Sequence, residues 1–252
     1  MNIFFREMGA GAPLIILHGL FGASDNWLSI GKRLSENYKI YLLDQRNHGN
    51  SFHSDSFTYD DLANDLLQFI NSKSLKTPII IGHSMGGKAA MKLAVKNAAM
   101  IKKLIVVDIA PKYYPVHHQH IIDALKSIDL KKIKSRSDAD EALAVHFDNK
   151  VLRQFLLKNL SRESDDYSWK INIPAIEENL ENIGEGLEKG ETYDGKALFI
   201  NGTQSDYVTE DDFPLIKTHF PSVIIKSISA GHWVHAEKPE EFLKLIYEFL
   251  SK

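Results

Sequence analysis

The chain has no cysteine among its 252 residues. Disulfides, thiolate metal ligands and a thiol nucleophile are therefore excluded together. It also lacks a charge excess: 30 Lys and Arg stand against 33 Asp and Glu, a formal net charge of −3. No broad basic face of the kind that binds nucleic acid can be assembled from such a balance. Long hydrophobic runs are missing as well. "LIIL" and "LIVV" are strand-length and far short of a bilayer span, and "MNIFFREMGAG" has no basic stretch leading into an apolar one. Neither a membrane helix nor a signal peptide is expected, and no repeat or low-complexity tract interrupts the chain. The expectation is a cytoplasmic globular protein with a sizeable core and no nucleic-acid partner.

Six short apolar runs are present: "PLIILHG", "KIYLLD", "PIIIGHS", "LIVVDIAP", "ALFING" and "SVIIKSIS". Helical patterns separate most of them. From Thr58 the apolar residues Tyr59, Leu62, Ala63, Leu66, Leu67 and Ile70 form one stripe, opened by a Thr58–Asp61 capping box. "PEEFLKLIYEFL" sets Pro239 near a first helical position, with Phe242, Leu245, Ile246 and Phe249 on one face. Continuous apolar strands alternating with helices predict an α/β fold, a mostly parallel sheet with helices on both faces. After "VVDIAP" the strand rhythm stops. Residues 112–193 read as helical throughout and predict a cap or lid inserted between two core segments, 1–111 and 194–252.

"IIIGHSMGGKAA" fits two incompatible patterns. Gly82 to Lys88 matches the phosphate loop G-x-x-x-x-G-K, but Ala89 stands where a magnesium-binding hydroxyl belongs. Gly82 to Gly86 matches the nucleophile elbow G-x-S-x-G, which must lie between a buried strand and a helix. "PIII" and "GGKAAMKLAVKN" supply both. Ser84 is then the nucleophile. Its base should follow the last strand, where "SAGHWVHAEKP" offers His232, with His235 better suited to packing against the final helix. Met85, following the nucleophile, and Leu20 in "LIILHGLFG" are the expected oxyanion donors; losing one such donor typically costs ~3 kcal/mol of transition-state stabilisation. The elbow accounts for three blocks in the required order and the phosphate loop for one.

"HGLFGASDNW", "DQRNHGNS", "GHSMGGKAAM", "VVDIAP" and "GHWVHAEKP" together resemble the α/β-hydrolase fold, and within it the small YbfF-type esterases. The resemblance implies a serine esterase that works through an acyl-enzyme on carboxylic esters, in some members also on thioesters such as acyl-CoA, without a cofactor. Two acids compete for the third catalytic place. The usual hydrolase position follows "ALFING" as G-x-x-D, but three residues beyond Gly202 stands Ser205, with Asp206 one place late. The resembling branch implies Asp108 in "VVDIAP" instead, from where a strand-end carboxylate can orient His232.

Other residues take lesser roles. Phe21, Ile109, Tyr207 and Trp233 are expected to line an apolar substrate pocket. His18 reads as a brace for the oxyanion loop; Asp44, Arg46, His48 and Ser51 as ties within a loop; Ser24 and Asp25 as helix caps. His117, His118 and His120 suggest a metal tract, but no acid or cysteine is spaced to complete it, so no metal is expected. The rival functions are a hydrolase-fold receptor with little turnover, or a C–C bond hydrolase or cofactor-free peroxidase sharing the same triad. The partner is a small acyl ester or thioester in the leading reading, and oligomeric state has no signature here.

Overall fold

The computed structural model describes residues 2–164 and 166–251. Its core is a seven-stranded sheet of order β1-β3-β2-β4-β5-β8-β9. The strands are β1 (Phe5–Met8), β2 (Ala12–Leu17), β3 (Tyr38–Leu43), β4 (Ile79–His83), β5 (Lys103–Val107), β8 (Ala197–Gly202) and β9 (Val223–Ile228). Only β1 runs antiparallel to its neighbour. Six of the seven are the apolar runs seen in sequence. β1 was not anticipated: "FREM" is four residues long, half-exposed and too mixed to stand out.

Burial on both faces explains why these strands read as unbroken apolar runs. Along β2, Ile15 and Leu17 join one core, while Leu14 and Ile16 join the other. The first face is covered by α2 (Tyr59–Ser72) and α3 (Met85–Lys96), the second by α1 (Leu28–Leu34) and α11 (Pro239–Leu250). α2 begins as predicted: the Asp61 N–H donates to Thr58 Oγ1 (3.1 Å) and the Thr58 N–H to Asp61 Oδ2 (3.0 Å). Each fully buried Leu or Ile contributes ~1.5–3 kcal/mol, so the sheet is a rigid frame for whatever leaves its edge.

Between β5 and β8 lie α4 (Gln119–Ser127), α5 (Arg136–Ala144), α6 (Lys150–Leu157), α7 (Ile173–Glu178) and α8 (Leu180–Gly184). The segment is not wholly helical, which corrects the sequence expectation. β6 (Leu160–Glu163) and β7 (Asp166–Trp169) pair as an antiparallel hairpin. Its sequence, "LSRESDDYSW", is largely polar, and most of its described residues are exposed, so no hydrophobic periodicity marks it. Ile122, Leu143, Leu156 and Ile176 from this insertion share one continuous core with α2 and α3. Two further short helices are α9 (Phe213–His219) between β8 and β9, and α10 (Val234–Glu237) before α11. Among the described residues no helix is long and apolar enough to cross a membrane.

Candidate active site

The parallel ladder brings three strand ends level. β4 pairs with β5 up to His83 and Val107, and β5 with β8 up to Val107 and Ile200. One residue further the bonding continues: the Ser84 N–H donates to the Val107 carbonyl (3.0 Å) and the Asp108 N–H to that of Ile200 (2.8 Å). Ser84 and Asp108 then both turn sharply, at φ 52° and 49°. Such positive φ values cost side-chain-bearing residues of order 1–3 kcal/mol each and cluster where function needs them.

Glycine makes the turn around Ser84 possible. A Cβ on Gly82 would lie 2.3 Å from the Gly86 carbonyl oxygen, and one on Gly86 would lie 2.6 Å from that of His18. Both obstacles are backbone and cannot swing away. Gly86→Ala is therefore expected to cost about 2 kcal/mol, a fall in Tm of roughly 4–8 °C for a chain of this size, read by thermal melting. An unchanged Tm would show that the elbow has slack.

Asp108 collects the donors of this region. Its Oδ1 accepts the Gly202 N–H (2.8 Å), while Oδ2 accepts both the Ser205 hydroxyl (2.5 Å) and His232 Nδ1–H (2.8 Å). The carboxylate is wholly buried, while the imidazole keeps 21% of its side-chain surface exposed. Asp206, the alternative acid, is exposed and has no bond to His232. It points outward because Ser205, at the place counted from Gly202, turns inward to Asp108. The Ser84 hydroxyl itself is not hydrogen-bonded to His232, a contact that is often long before substrate binds.

His83 couples the elbow to the base loop. Its Nε2–H donates to the His232 carbonyl (2.9 Å), and the two rings lie 4.6 Å apart. Burial holds His83 well below the ordinary imidazole range and pushes His235, stacked on Trp27 at 3.8 Å, down to about 3. Both are neutral packing groups. The turn after β2 is braced in the same way. His18 Nε2 accepts the Gln45 N–H (2.9 Å), so its Nδ1–H donates to the Gly19 carbonyl (2.8 Å). His48, held at about 3 by burial, accepts the Phe21 N–H (3.1 Å).

Those bonds leave specific donors over. Gly22 N–H closes the turn onto the Gly19 carbonyl (3.0 Å), and no described residue takes the Leu20 N–H. Met85 opens α3, where a first-turn N–H has no partner within the helix and the helix dipole favours negative charge. A Cβ on Gly19 would be 3.1 Å from Ser84 Cβ, so the Leu20 turn lies directly against the elbow.

The other expected residues separate. Tyr207 stacks face-on upon His232, ring centroids 4.0 Å apart at 18°, a contact with no signature in sequence. Trp233 packs on Phe155 of the insertion (5.3 Å), and Phe21 meets His118 edge-on (5.9 Å). Ile109 is buried, its methyl 2.7 Å from where a Gly87 Cβ would sit. His117 Nε2 accepts the Tyr207 hydroxyl (2.8 Å), and His120 packs against Phe147 (5.7 Å). Asp44 accepts the Ser24 N–H (2.7 Å) and the Asn50 N–H (2.9 Å), and Arg46 forks onto Asp65 (2.6 and 2.8 Å). Ser24 and Asp25 do not cap their turn: Asn26 Oδ1 does, accepting the Ala23 N–H (2.7 Å), while Asp25 pairs with Arg6. Lys88, the phosphate-loop lysine of the losing pattern, spends its ammonium on the Gly184 and Glu185 carbonyls.

Comparison with known proteins bears on the fold as a whole. Residues 12–239 match the family described as alpha/beta hydrolase fold. The chain is 38% identical over 257 residues to the sn-1-specific diacylglycerol lipase ABHD11 of Danio rerio, covering 98% of this chain and 81% of that one. It is 35% identical over 242 residues to esterase YbfF of Escherichia coli strain K12, covering 95% and 93%. A solved structure titled marine microorganism esterase superposes with a TM-score of 0.96 at 46% identity, covering 98% of this chain and 99% of its own. A strained serine elbow, a parallel sheet with one antiparallel edge strand and a match along nine-tenths of the sequence lead to one conclusion: the chain belongs to the α/β-hydrolase fold family.

Proposed function

We propose that the chain is a carboxylesterase-type serine hydrolase that forms an acyl-enzyme on Ser84. The observation that carries this reading is the 2.8 Å Asp108–His232 pair beside the strained elbow. In it, Ser84 Oγ attacks the ester carbonyl carbon while His232 Nε2 takes its proton. The N–H groups of Met85 and Leu20 receive the developing oxyanion, and Asp108 stabilises the imidazolium. His232 then gives its proton to the leaving alcohol, whose C–O bond breaks. Water attacks the acyl-enzyme by the same steps in reverse order of roles, releasing the acid and restoring Ser84. No step calls on a metal or a cofactor.

The substrate in this reading is a small acyl ester, as the lipase and esterase names of the relatives suggest, and thioesters such as acyl-CoA reach the same intermediate. Phe21, Ile109, Tyr207 and Trp233 form its apolar surroundings. Residues 112–193 act as the cap that selects the acyl group, a role supported by the contacts of Trp233 and Tyr207 with insertion residues. A cysteine-free chain suits work in the cytoplasm.

Rapid mixing with p-nitrophenyl esters of graded acyl length tests the reading. A burst of nitrophenolate matching the protein concentration is expected, together with an acyl adduct on the peptide containing Ser84. Rates no higher than buffer across the whole series would sink it.

A further inference from the structure

The insertion leaves the core through residues 109–114 and returns through 184–187, and these two arms are bonded to each other. The Tyr114 N–H donates to the Gly184 carbonyl (2.8 Å) and the Leu187 N–H to that of Pro111 (2.9 Å). Two glycines permit the approach. A Cβ on Gly184 would stand 2.3 Å from the Tyr114 carbonyl oxygen, and one on Gly186 would stand 2.6 Å from that of Pro111.

Lys88 projects from the first turn of α3 into this neck. Its Nζ donates to the Gly184 carbonyl (2.9 Å) and to the Glu185 carbonyl, so one ammonium holds the returning arm at two successive residues. It also lies 4.7 Å from the ring centroid of Tyr114 and 5.4 Å from that of Tyr59. The contacts continue toward the base. Tyr114 accepts the Ala110 N–H (3.0 Å) and donates to the Tyr207 carbonyl (2.5 Å), and the Tyr207 ring stacks on His232 at 4.0 Å. Burial raises both phenols, Tyr207 to about 12, so each keeps its proton to donate.

A lysine here is hard to explain by stability. Its side chain is only 4% exposed, and desolvation, partly offset by Glu185, draws its pKa down to about 7. Removing an ammonium from water costs more than a buried methionine of similar length would. The neighbouring cavity of about 180 Å³, lined by Lys88 with Tyr59, Met91, Pro111 and Leu187, leaves room for either side chain. What the lysine supplies and methionine cannot is directed hydrogen bonding to two successive carbonyls of the returning arm, Gly184 and Glu185.

We propose that Lys88 is a positioning residue for His232: it clamps the neck of the insertion to the nucleophile helix and, through Tyr114, holds the Tyr207 ring against the base. The assignment rests on the hydrolase reading above. Ser84 immediately precedes α3, and the Lys88 N–H donates to its carbonyl (3.1 Å), so the clamp fixes the base relative to the nucleophile.

The experiment is the rate of labelling by a fluorophosphonate, which reacts with an activated serine whatever the natural substrate. Lys88→Met is expected to lower kinact about tenfold with KI changed less than about twofold, with Tm lowered by no more than a few degrees because the Gly184 carbonyl keeps the Tyr114 N–H. Tyr114→Phe, which keeps the ring and removes only the hydroxyl bridge, should lower kinact in the same way. The double variant should be no slower than Lys88→Met alone, because both act through one path. Wild-type kinact in both single variants, or losses that multiply in the double variant, would overturn the assignment. If Lys88→Met fails to fold, Tyr114→Phe with an unchanged kinact overturns it. Absence of Ser84-dependent labelling in the unaltered chain, judged against Ser84→Ala, would instead remove the hydrolase reading, and this inference with it.

Discussion

Ser84→Ala is expected to lower kcat by about 10⁶-fold on any ester the chain turns over, with Tm unchanged. The alanine inherits the same φ of 52° and loses no side-chain hydrogen bond, so the fold has nothing to repair. Residual hydrolysis about 10³-fold or more over water should persist, since in the proposed mechanism Leu20 and Met85 still present their N–H groups to the polarised carbonyl. His232→Ala should cost about as much, and the double variant little more than either, because in the proposed mechanism the two residues share a single proton transfer. The measurement is kcat by nitrophenolate release, normalised to protein titrated by fluorophosphonate in the unaltered enzyme. A Ser84→Ala protein keeping a tenth of its activity would place the nucleophile elsewhere.

The parts of this arrangement that sequence discloses are those built from local chemistry. Ser84 is legible because an elbow needs glycines at fixed offsets; the clash distances at Gly82 and Gly86 are the physical content of that spacing. The six apolar strands are legible because burial on both faces leaves no polar alternation. β1 and the β6–β7 hairpin were not, being short and mostly exposed, so nothing in their composition separates them from loop. That Asp108 and not Asp206 bonds His232 depends on how distant loops meet: the Ser205 hydroxyl, 97 residues away in sequence, also donates to Asp108. Lys88 is a different case: sequence set aside the phosphate-loop pattern that contains it but assigned it no other role, because its partners lie 96 and 97 residues away on the insertion. The stacking of Tyr207 on His232 likewise depends on two loops meeting, which periodicity does not report.

Asp108→Asn should lower kcat by about 10⁴-fold while Asp206→Asn leaves it within about twofold. The size follows from the bonding around the carboxylate. Oδ1 faces the Gly202 N–H, a backbone donor that cannot rotate, and Oδ2 faces the Ser205 hydroxyl and His232 Nδ1–H. An amide has one oxygen for these donors. Setting that oxygen against Gly202 avoids two N–H groups meeting, and it turns the amide NH₂ toward His232. The imidazole must then accept at Nδ1 and carry its proton on Nε2, where it cannot take the proton from Ser84. The hydroxyl of Ser205 adapts by rotating, so the folded state should survive and the melt stay within a few degrees of the unaltered protein. Ser205→Ala removes one donor and leaves the tautomer intact, with a loss of about tenfold. Activity unaffected in Asp108→Asn and lost in Asp206→Asn would require the base loop to close on the other acid during turnover. A buried carboxylate already holding three donors argues against that rearrangement, since releasing His232 would leave Asp108 charged, buried and short of a partner.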